Sequence, residues 1–330
     1  MTKPVISFLY FAPNCLNFDL LHYENWIAYL KLDKQAFVMT QNLDSYFTCS
    51  FGGKISKRCL FGLGMLIVNT CCVFGSATAQ EKPNTPKFII CYNPMVPIEE
   101  LEPYDLIVVD YAYPAKAIAA LKRQGKTVFG YLSLGKVQKQ RPFAVKVQDL
   151  GIACLEDKRY PDSLKVNVAD RKWQELVVQS IVPGMKNMGF NGIFLDDLDD
   201  INSRNLRPHG VSLIHKIRQA NPDLKLMANR GLEFLPQFAA HVDYSLLESC
   251  FLMDGQMRKP SDSQWALVLL AAAKRKNPKL QGAAIDYISR TKQPLTPRQV
   301  QVIQEIRSLH GKSGLLSCVS TEDLQTVPRF

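Results

Sequence analysis

The sequence predicts a (β/α)8 barrel, an α/β fold built as one domain from residues 88–330. Eight short apolar runs alternate with segments of helical period, which indicates parallel strands connected by helices. The runs are continuously apolar, as strands are when helices cover both faces of their sheet. Eight strand–helix units in a segment of this length fit a TIM barrel. The predicted strands lie at residues 88–92, 106–110, 127–132, 192–196, 224–229, 244–248, 282–287 and 314–319.

The segments between the strands end as helices do. Pro222 and Pro278 each follow a predicted helix, because the residue before a proline disfavours the helical conformation. Pro297 stands at the first position of another helix, where its missing N–H is tolerated. The predicted helices include residues 115–124, 171–188, 211–220, 263–275 and 297–310.

An open, doubly wound sheet is the alternative architecture. That fold normally carries a glycine-rich phosphate loop after its first strand. Here the first strand ends in Cys91-Tyr92-Asn93-Pro94, which offers no such loop. One extra apolar run, at residues 164–168, lies between the third and fourth strands, and we interpret it as part of a long loop on the active face.

A secretory signal is predicted ahead of the barrel. Basic residues at 54–58 precede an apolar run at 59–75, and small residues ending in Ala79 offer a cleavage site. Residues 54–79 are therefore a signal peptide or, if the apolar run is retained, a membrane anchor. Both readings export the barrel, to the periplasm or beyond, because the positive flank stays inside. No stable membrane contact is expected once the signal is cleaved.

The segments on either side of the signal carry no chemical motif. Residues 1–53 form an upstream extension, and a signal so far from the first residue suggests that the natural start lies near Lys54. Residues 80–87 are polar, contain proline, and are interpreted as a linker. The barrel would then begin at residue 88.

Charge and cysteine content narrow the class of protein. The formal net charge is +10, but the basic residues are scattered, with no basic run interleaved with aromatics, so we expect no nucleic-acid partner. The cysteines beyond the signal are not spaced as zinc ligands, and we expect free thiols in apolar strands. No metal and no cofactor are predicted.

The strongest functional signal follows the fourth predicted strand. An apolar run, Ile193 to Leu195, meets Asp196 and Asp197, and two further acids follow at once. In a barrel the carboxyl ends of all strands converge on one cleft. The residues at those ends are Tyr92, Asp110, Tyr131, Ser133, Asp196, Asp197, Asp199, Asn229, Glu248, Asp286, Tyr287 and Ser320.

Carboxylates, amides and tyrosines dominate this rim, a composition suited to glycoside hydrolysis. An acid that directly ends an apolar strand is unfavourable unless it is paired or used, and this singles out Asp196 and Glu248. Structural roles remain open for other members: Asp110 as a helix cap, Tyr131 as a core residue, and Asn229 as a loop-shaping residue.

Four segments, on the second, third, fourth and sixth predicted strands, resemble glycoside hydrolase family 114, which includes the endo-α-1,4-polygalactosaminidases. They read Y-D-L-I-V-V-D, V-F-G-Y-L-S-L-G, G-F-N-G-I-F-L-D-D-L-D and V-D-Y-S-L-L-E-S. The resemblance covers residues 88 to about 320. It implies a (β/α)8 barrel that cleaves α-1,4-linked galactosamine polymers without a metal.

By this resemblance the catalytic pair falls on Asp196 and Glu248, with Asp196 as nucleophile or electrostatic stabiliser and Glu248 as general acid/base. The reverse assignment stays open. Asp199 corresponds to a further acid of the family pattern. By the same resemblance, Asp110, Tyr131 and Asn229 would line the sugar subsites. From their positions at the strand ends, we expect further substrate-binding residues at Asp197, Asp199, Asp286, Tyr287 and Tyr92.

Two positions depart from the family pattern. Lys136 stands where an acid often follows the third strand, and Asp197 where an asparagine is common. Lys136 could repel a cationic sugar or contact an acetylated or acidic one, so the departure bears on substrate identity more than on the reaction. A catalytically silent barrel that binds polysaccharide is the alternative function. A polysaccharide deacetylase would need a His/Asp metal triad, a pattern that the histidines of this chain do not form.

Overall fold

The computed structural model describes residues 86–288 and 295–328, together with the backbone of three strands nearer the N-terminus. The chain divides into two compact units, Met1–Lys82 and Pro83–Phe330. In the first unit, strands Ile27–Leu32, Gln35–Gln41 and Phe47–Phe51 form an antiparallel sheet in that order. The sequence reading did not predict this sheet. The predicted signal at residues 54–79 and most of the linker lie outside the described residues.

The second unit is a nearly closed barrel of eight parallel strands. Neighbouring strands follow one another in chain order across the whole sheet, whereas a doubly wound sheet reverses its order. The first and last strands approach each other, and just beyond them the Tyr92 amide donates to the Leu324 carbonyl at 2.7 Å. The predicted (β/α)8 fold is confirmed. The strands are β1 Phe88–Cys91, β2 Leu106–Val109, β3 Thr127–Ser133, β4 Gly192–Asp196, β5 Lys225–Asn229, β6 Tyr244–Glu248, β7 Gln281–Ile288 and β8 Leu315–Thr321.

Helices surround the barrel where the sequence pattern places them. Thr296 caps the last helix through a reciprocal pair of hydrogen bonds with Gln299, which satisfies two amides of the first turn. The α-helices are α1 Ile98–Leu101, α2 Ala115–Arg123, α3 Ala144–Asp149, α4 Arg171–Leu176, α5 Val182–Asn187, α6 Arg207–Ala220, α7 Leu235–Phe238, α8 Pro260–Lys276 and α9 Pro297–Lys312.

The helix predicted at residues 171–188 is interrupted. A π-helical turn, Val177–Ile181, separates α4 from α5, and a 3-10 turn, Ala239–His241, extends α7. Pro183 follows the π-helical turn. Since proline lacks an N–H and clashes with the carbonyl four residues earlier, the chain widens there instead of continuing the α-helical ladder. Asp170 caps α4 by accepting from the amides of Lys172 and Trp173.

The barrel strands are buried on both faces, and close packing determines one residue choice in the core. Every residue of β1 and β2 is buried, as the apolar runs predicted. A Cβ at Gly192, where β4 begins, would overlap the ring of Phe129 on β3. Glycine at this position allows the large aromatic ring into the barrel wall.

Cys91, Cys154, Cys250 and Cys318 are free thiols.

Two loops on the active face contain structure of their own. The extra run at residues 164–168 contributes to strand Ser163–Val166, the middle of an antiparallel sheet with Lys136–Gln138 and Cys154–Glu156. After β6, strands Leu252–Met253 and Gln256–Met257 form a hairpin around an Asp-Gly turn with positive φ at both residues.

Within residues 86–288 and 295–328, no helix has the length and hydrophobicity to cross a membrane.

Candidate active site

Three neighbouring strands end in the same local geometry. Asp196, Asn229 and Glu248 are the last residues of β4, β5 and β6. The residue after each is left-handed, with φ of 60°, 59° and 51° at Asp197, Arg230 and Ser249 respectively. Non-glycine residues seldom adopt this conformation, and where they do it is often at a functional site. The turn lets the strand-end side chain project into the cleft while the backbone turns away.

Asn229 connects the two predicted catalytic carboxylates. Its Nδ2 donates to Asp196 Oδ1 at 2.8 Å and to Glu248 Oε2 at 3.2 Å. The two oxygens therefore lie no further apart than the sum of those distances, 6.0 Å. The opposite orientation of the amide would set its oxygen against two carboxylates, so the orientation is fixed by charge. The structure thus brings Asp196, Asn229 and Glu248 together, as predicted.

Tyrosines surround the carboxylates. The Tyr287 hydroxyl donates to Glu248 Oε1 at 2.8 Å, and the Tyr131 hydroxyl forms a hydrogen bond with Asp196. The ring of Tyr92 packs edge-on against Tyr131, with centroids 5.1 Å apart. Burial, and then the nearby carboxylates, raise the pKa of all three phenols. They therefore remain neutral hydrogen-bond donors, aimed at the carboxylates or at a bound sugar.

The Asp196 carboxyl is harder to ionise than an ordinary aspartate. Burial raises its pKa, hydrogen bonds from Asn229 and Tyr131 oppose the rise, and the charge of Glu248 adds to it. The pKa of Asp197 is raised as well, first by burial and then by Asp196. Two acids next to each other at the end of β4 are thus held ionised only by the donors and cations around them.

Lys136 supplies that cation. Its Nζ lies 2.7 Å from Asp197 Oδ1 and 2.8 Å from Asp200 Oδ2. The Ser133 hydroxyl donates to the other oxygen of Asp197 at 2.5 Å. Burial lowers the pKa of Lys136, but its bonds to Asp197 and Asp200 outweigh this and raise it above the ordinary value.

These contacts correct the interpretation of Lys136 as a charge that faces the substrate. Its side chain is 13% exposed and is neutralised by the acids that hold it. Both carboxylate oxygens of Asp197 are hydrogen-bonded, one to Ser133 and the other to Lys136. Both residues therefore support the turn after Asp196, and they touch the cleft only at a small cavity of about 40 Å³.

Removing this cation will change the pH dependence of the reaction. Without the charge of Lys136, Asp197 and Asp196 repel each other more strongly, and the pKa of Asp196 rises further. Because Asp196 must be ionised to act, the acidic limb of kcat/KM in Lys136→Met should move to higher pH. Lys186→Met, which removes an exposed lysine paired with Asp223, is the control. A profile that superimposes on that of the wild type contradicts this role.

Asp110 and Asp199 lie on the cleft walls, each paired with an arginine. Arg141 binds Asp110 through two hydrogen bonds of 2.7 Å each. Arg230 Nε lies 2.6 Å from Asp199 Oδ2, and the Gly231 amide donates to Asp199 Oδ1 at 2.9 Å. Neither acid therefore presents an uncompensated charge to a substrate.

Asp286 does not reach the cleft. Its side chain is fully buried and lies 2.7 Å from His310 Nε2 on α9, while the amides of Phe251 and Leu252 donate to its other oxygen. Successive side chains of a strand point to opposite faces. Tyr287 faces the cleft, so Asp286 must face the helices. Its predicted role in sugar binding is not supported by this position; the residue anchors the loop that follows β6.

Two cavities flank the carboxylate pair. One of about 470 Å³ touches Asp196 and is also lined by Tyr92, Asp110, Tyr131 and Arg141. The other, of about 300 Å³, touches Glu248. The pair therefore stands between two spaces, each large enough for a sugar ring.

Sequence reasoning missed three residues that line these cavities. They are Arg141, Arg258 and Trp265. Each lies in a loop or near the start of a helix. There the spacing of apolar residues does not indicate where a side chain points. One signal was readable: Trp265 is a large aromatic residue in an otherwise polar opening turn of α8. Within the described ranges, no three His, Cys, Asp or Glu side chains are placed to hold a metal ion.

Comparison with known proteins adds a family and a fold. The sequence model of glycoside-hydrolase family GH114 matches residues 73–327. The glycoside hydrolase domain of PelA from Pseudomonas aeruginosa has a TM-score of 0.60 and 24% identity, over 74% of this chain and 97% of that one. Aspergillus fumigatus Ega3, solved in complex with galactosamine, has a TM-score of 0.56 and 15% identity, over 76% and 97%. At these identities the structural likeness shows a shared fold. No curated protein sequence matches the chain.

Proposed function

The chain belongs to glycoside-hydrolase family GH114 and is a glycosidase, and from that premise we propose that it cleaves an α-1,4-linked amino-sugar polysaccharide by a two-carboxylate mechanism. The observation that carries the proposal is the contact of one amide, Asn229, with both Asp196 and Glu248. It holds the carboxyl groups at the ends of β4 and β6, the two strands that flank β5, between two cavities. This is the arrangement that glycosidic bond cleavage requires.

The separation of the pair favours a retaining reaction. Retaining enzymes hold their carboxyl groups about 5–5.5 Å apart, and inverting enzymes about 6.5–9.5 Å apart to admit a water. The upper limit of 6.0 Å between the oxygens bonded to Asn229 falls below the inverting range. Asp196 then attacks the anomeric carbon as Glu248 protonates the leaving oxygen. Water, deprotonated by Glu248, next displaces Asp196 from the sugar.

We propose that Asp196 is the nucleophile and Glu248 the general acid/base. Asp196 receives bonds from Asn229 and Tyr131, which favour its ionised form, as a nucleophile requires. Glu248 accepts hydrogen bonds from Tyr287 and Asn229, and we assign it the general acid/base role. The reverse assignment is tested by the variants considered in the Discussion.

An amino-sugar polymer is the proposed substrate. The structure of Ega3, which shares the fold, was solved with galactosamine. One cavity touches Asp196 and another touches Glu248, and space for a sugar unit beside each carboxylate suits cleavage within a polymer. Lys136 does not oppose a cationic sugar, because Asp197 and Asp200 neutralise it. The basic and apolar segments at residues 54–79 support export of the enzyme. Export brings the enzyme to the compartment in which such polymers lie.

The proposal is tested by release of reducing ends from α-1,4-linked galactosaminoglycans, free and N-acetylated, by the purified chain. We expect release from at least one polymer. The α-configured product should appear first when anomers are followed by nuclear magnetic resonance. Early appearance of the β-anomer would contradict retention. Binding without release from any of the polymers would instead favour a barrel that binds polysaccharide and does not cleave it.

A further inference from the structure

The cavity beside Glu248 has a wall that the catalytic mechanism does not use. Its volume is about 300 Å³, and the loops after β4, β5 and β6 enclose it together with the first turns of α8. Trp265, Arg258 and Asp262 lie on the α8 side. Glu248 and Leu247 form the opposite end. A ligand in this space would therefore lie between the catalytic acid and the tryptophan.

Trp265 is exposed in a way that large aromatic residues rarely are. Its side chain is 52% exposed, and within the described part of the chain it makes no hydrogen bond and no ring contact. An indole left in water loses the stabilisation of about 1.5–3 kcal/mol that burial of a large apolar side chain gives. Trp265 lines the cavity that also touches Glu248, and ligand pockets are typically lined by aromatic side chains. Its flat ring matches the apolar C–H face of a pyranose.

Polar groups lie beside the indole, as a sugar ring with hydroxyls at its edge requires. Arg258 Nη1 donates to the Ser249 carbonyl at 2.9 Å, which fixes the position of the guanidinium. The other N–H groups of the guanidinium take no part in this bond. Asp262 lies in the first turn of α8, where its contact is the Ser261 hydroxyl at 3.2 Å. No described cation forms an ion pair with this carboxylate. One donor and one acceptor thus remain for a ligand.

The wall is built before any ligand arrives. Asp286 holds the amides of Phe251 and Leu252 at 2.9 and 2.7 Å, at the start of the hairpin that leads to Arg258. The buried hydroxyl of Ser263, on the first turn of α8, donates to the Cys250 carbonyl at 2.7 Å. Since both loop and helix are tied to the barrel, little ordering is needed on binding.

We propose that Trp265 is the stacking platform of a polymer subsite on the Glu248 side of the cleft, with Arg258 and Asp262 contacting the polar groups of the same sugar unit. The subsite rests on the proposed function, because its ligand is a pyranose unit of the polysaccharide that the enzyme cleaves. Contacts with this unit stabilise the bound substrate and the transition state equally, so they lower KM and leave kcat unchanged. Chains long enough to reach Trp265 are therefore cleaved at lower concentration than shorter ones.

Direct binding to the indole is tested by tryptophan fluorescence of the full chain carrying Glu248→Gln, titrated with an α-1,4-linked galactosamine hexasaccharide and its N-acetylated counterpart. The chain has three tryptophans, of which Trp173 is fully buried. We expect a saturable change in emission with one of the two probes, and its loss when Trp265→Phe is added. Val268→Ala, at a residue equally exposed on α8, should keep the change. The same change in the Trp265→Phe chain would overturn the subsite.

Kinetics separate failure of the subsite from failure of the proposed function. On the polymer, Trp265→Ala should raise KM about tenfold, equivalent to about 1.4 kcal/mol of binding free energy. Its kcat should stay within about twofold, as for loss of uniform binding. Val268→Ala should match the wild type. Release of reducing ends with unchanged KM in Trp265→Ala overturns the subsite alone. Absence of both release and binding overturns the proposed function and the subsite with it.

Discussion

Replacing Glu248 by Gln is expected to lower kcat by about 1,000-fold while leaving polymer binding intact. A general acid contributes about 10²- to 10⁴-fold to catalysis, and the amide cannot give a proton to the leaving oxygen. The amide has nearly the shape of the carboxyl, so the contacts with Asn229 and Tyr287 can persist. The measurement is reducing-end release at saturating polymer, with binding followed by calorimetry.

The control for this variant is Glu175→Gln, which changes an exposed glutamate paired with Arg171 on α4. Azide then assigns the roles of the pair. If Asp196 is the nucleophile, azide added to Glu248→Gln attacks the glycosyl–enzyme and gives the α-glycosyl azide, while azide added to Asp196→Asn gives the β-azide directly. The opposite pairing of products would reverse the assignment. Turnover of Glu248→Gln equal to that of the control would refute its catalytic role.

Replacing Asp286 by Ala is expected to lower the free energy of unfolding by about 3–5 kcal/mol, the usual loss when one partner of a buried pair is removed. The carboxylate accepts from two backbone amides and is bonded to His310, whose other ring nitrogen lies 2.7 Å from Ser317 Oγ. Alanine leaves the amides and the imidazole buried without partners. Urea denaturation followed by circular dichroism provides the measurement.

Asp286→Asn serves as the matched variant. An asparagine oxygen still accepts from Phe251 and Leu252, and its amide can donate to His310 in the other tautomer. We therefore expect it to retain most of the stability that alanine loses. Equal losses in the two variants would show that the charge, and not the hydrogen bonds, matters at this position. Loss of polymer binding by Asp286→Asn at unchanged stability would restore the residue to the cleft.

The fold was predictable because its main signals are local. Each barrel strand is a continuous apolar run, and proline and capping residues mark the ends of the helices, as at Thr296. Asp196, Asn229 and Glu248 were also predictable, since parallel strands of a barrel deliver their last residues to one place. Pro183 offered a signal for the break in its helix that helical period alone does not carry.

The errors concern the face to which a side chain points and the partner with which a charge is paired. Both depend on contacts between residues that are distant in sequence. Asp286 and Tyr287 were both assigned to the cleft, although adjacent strand residues face opposite sides. That alternation was available in the sequence. The position of Lys136 was not: its partner Asp197 lies 61 residues further along the chain, and its charge is neutralised only once the strands are assembled. Trp265 lies on the first turns of a helix whose placement over the cleft only the folded chain defines.

The left-handed residues after Asp196, Asn229 and Glu248 divide each connection into two parts. Before Asp197, Arg230 and Ser249 the backbone belongs to the barrel; after them it enters the loops that form the cleft walls. For protein engineering, these three positions are natural junctions. A loop grafted beyond them replaces a wall of the cleft and leaves the reacting groups where the strands hold them. The same division lets descendants of one ancestor acquire different polymers while inheriting one reaction.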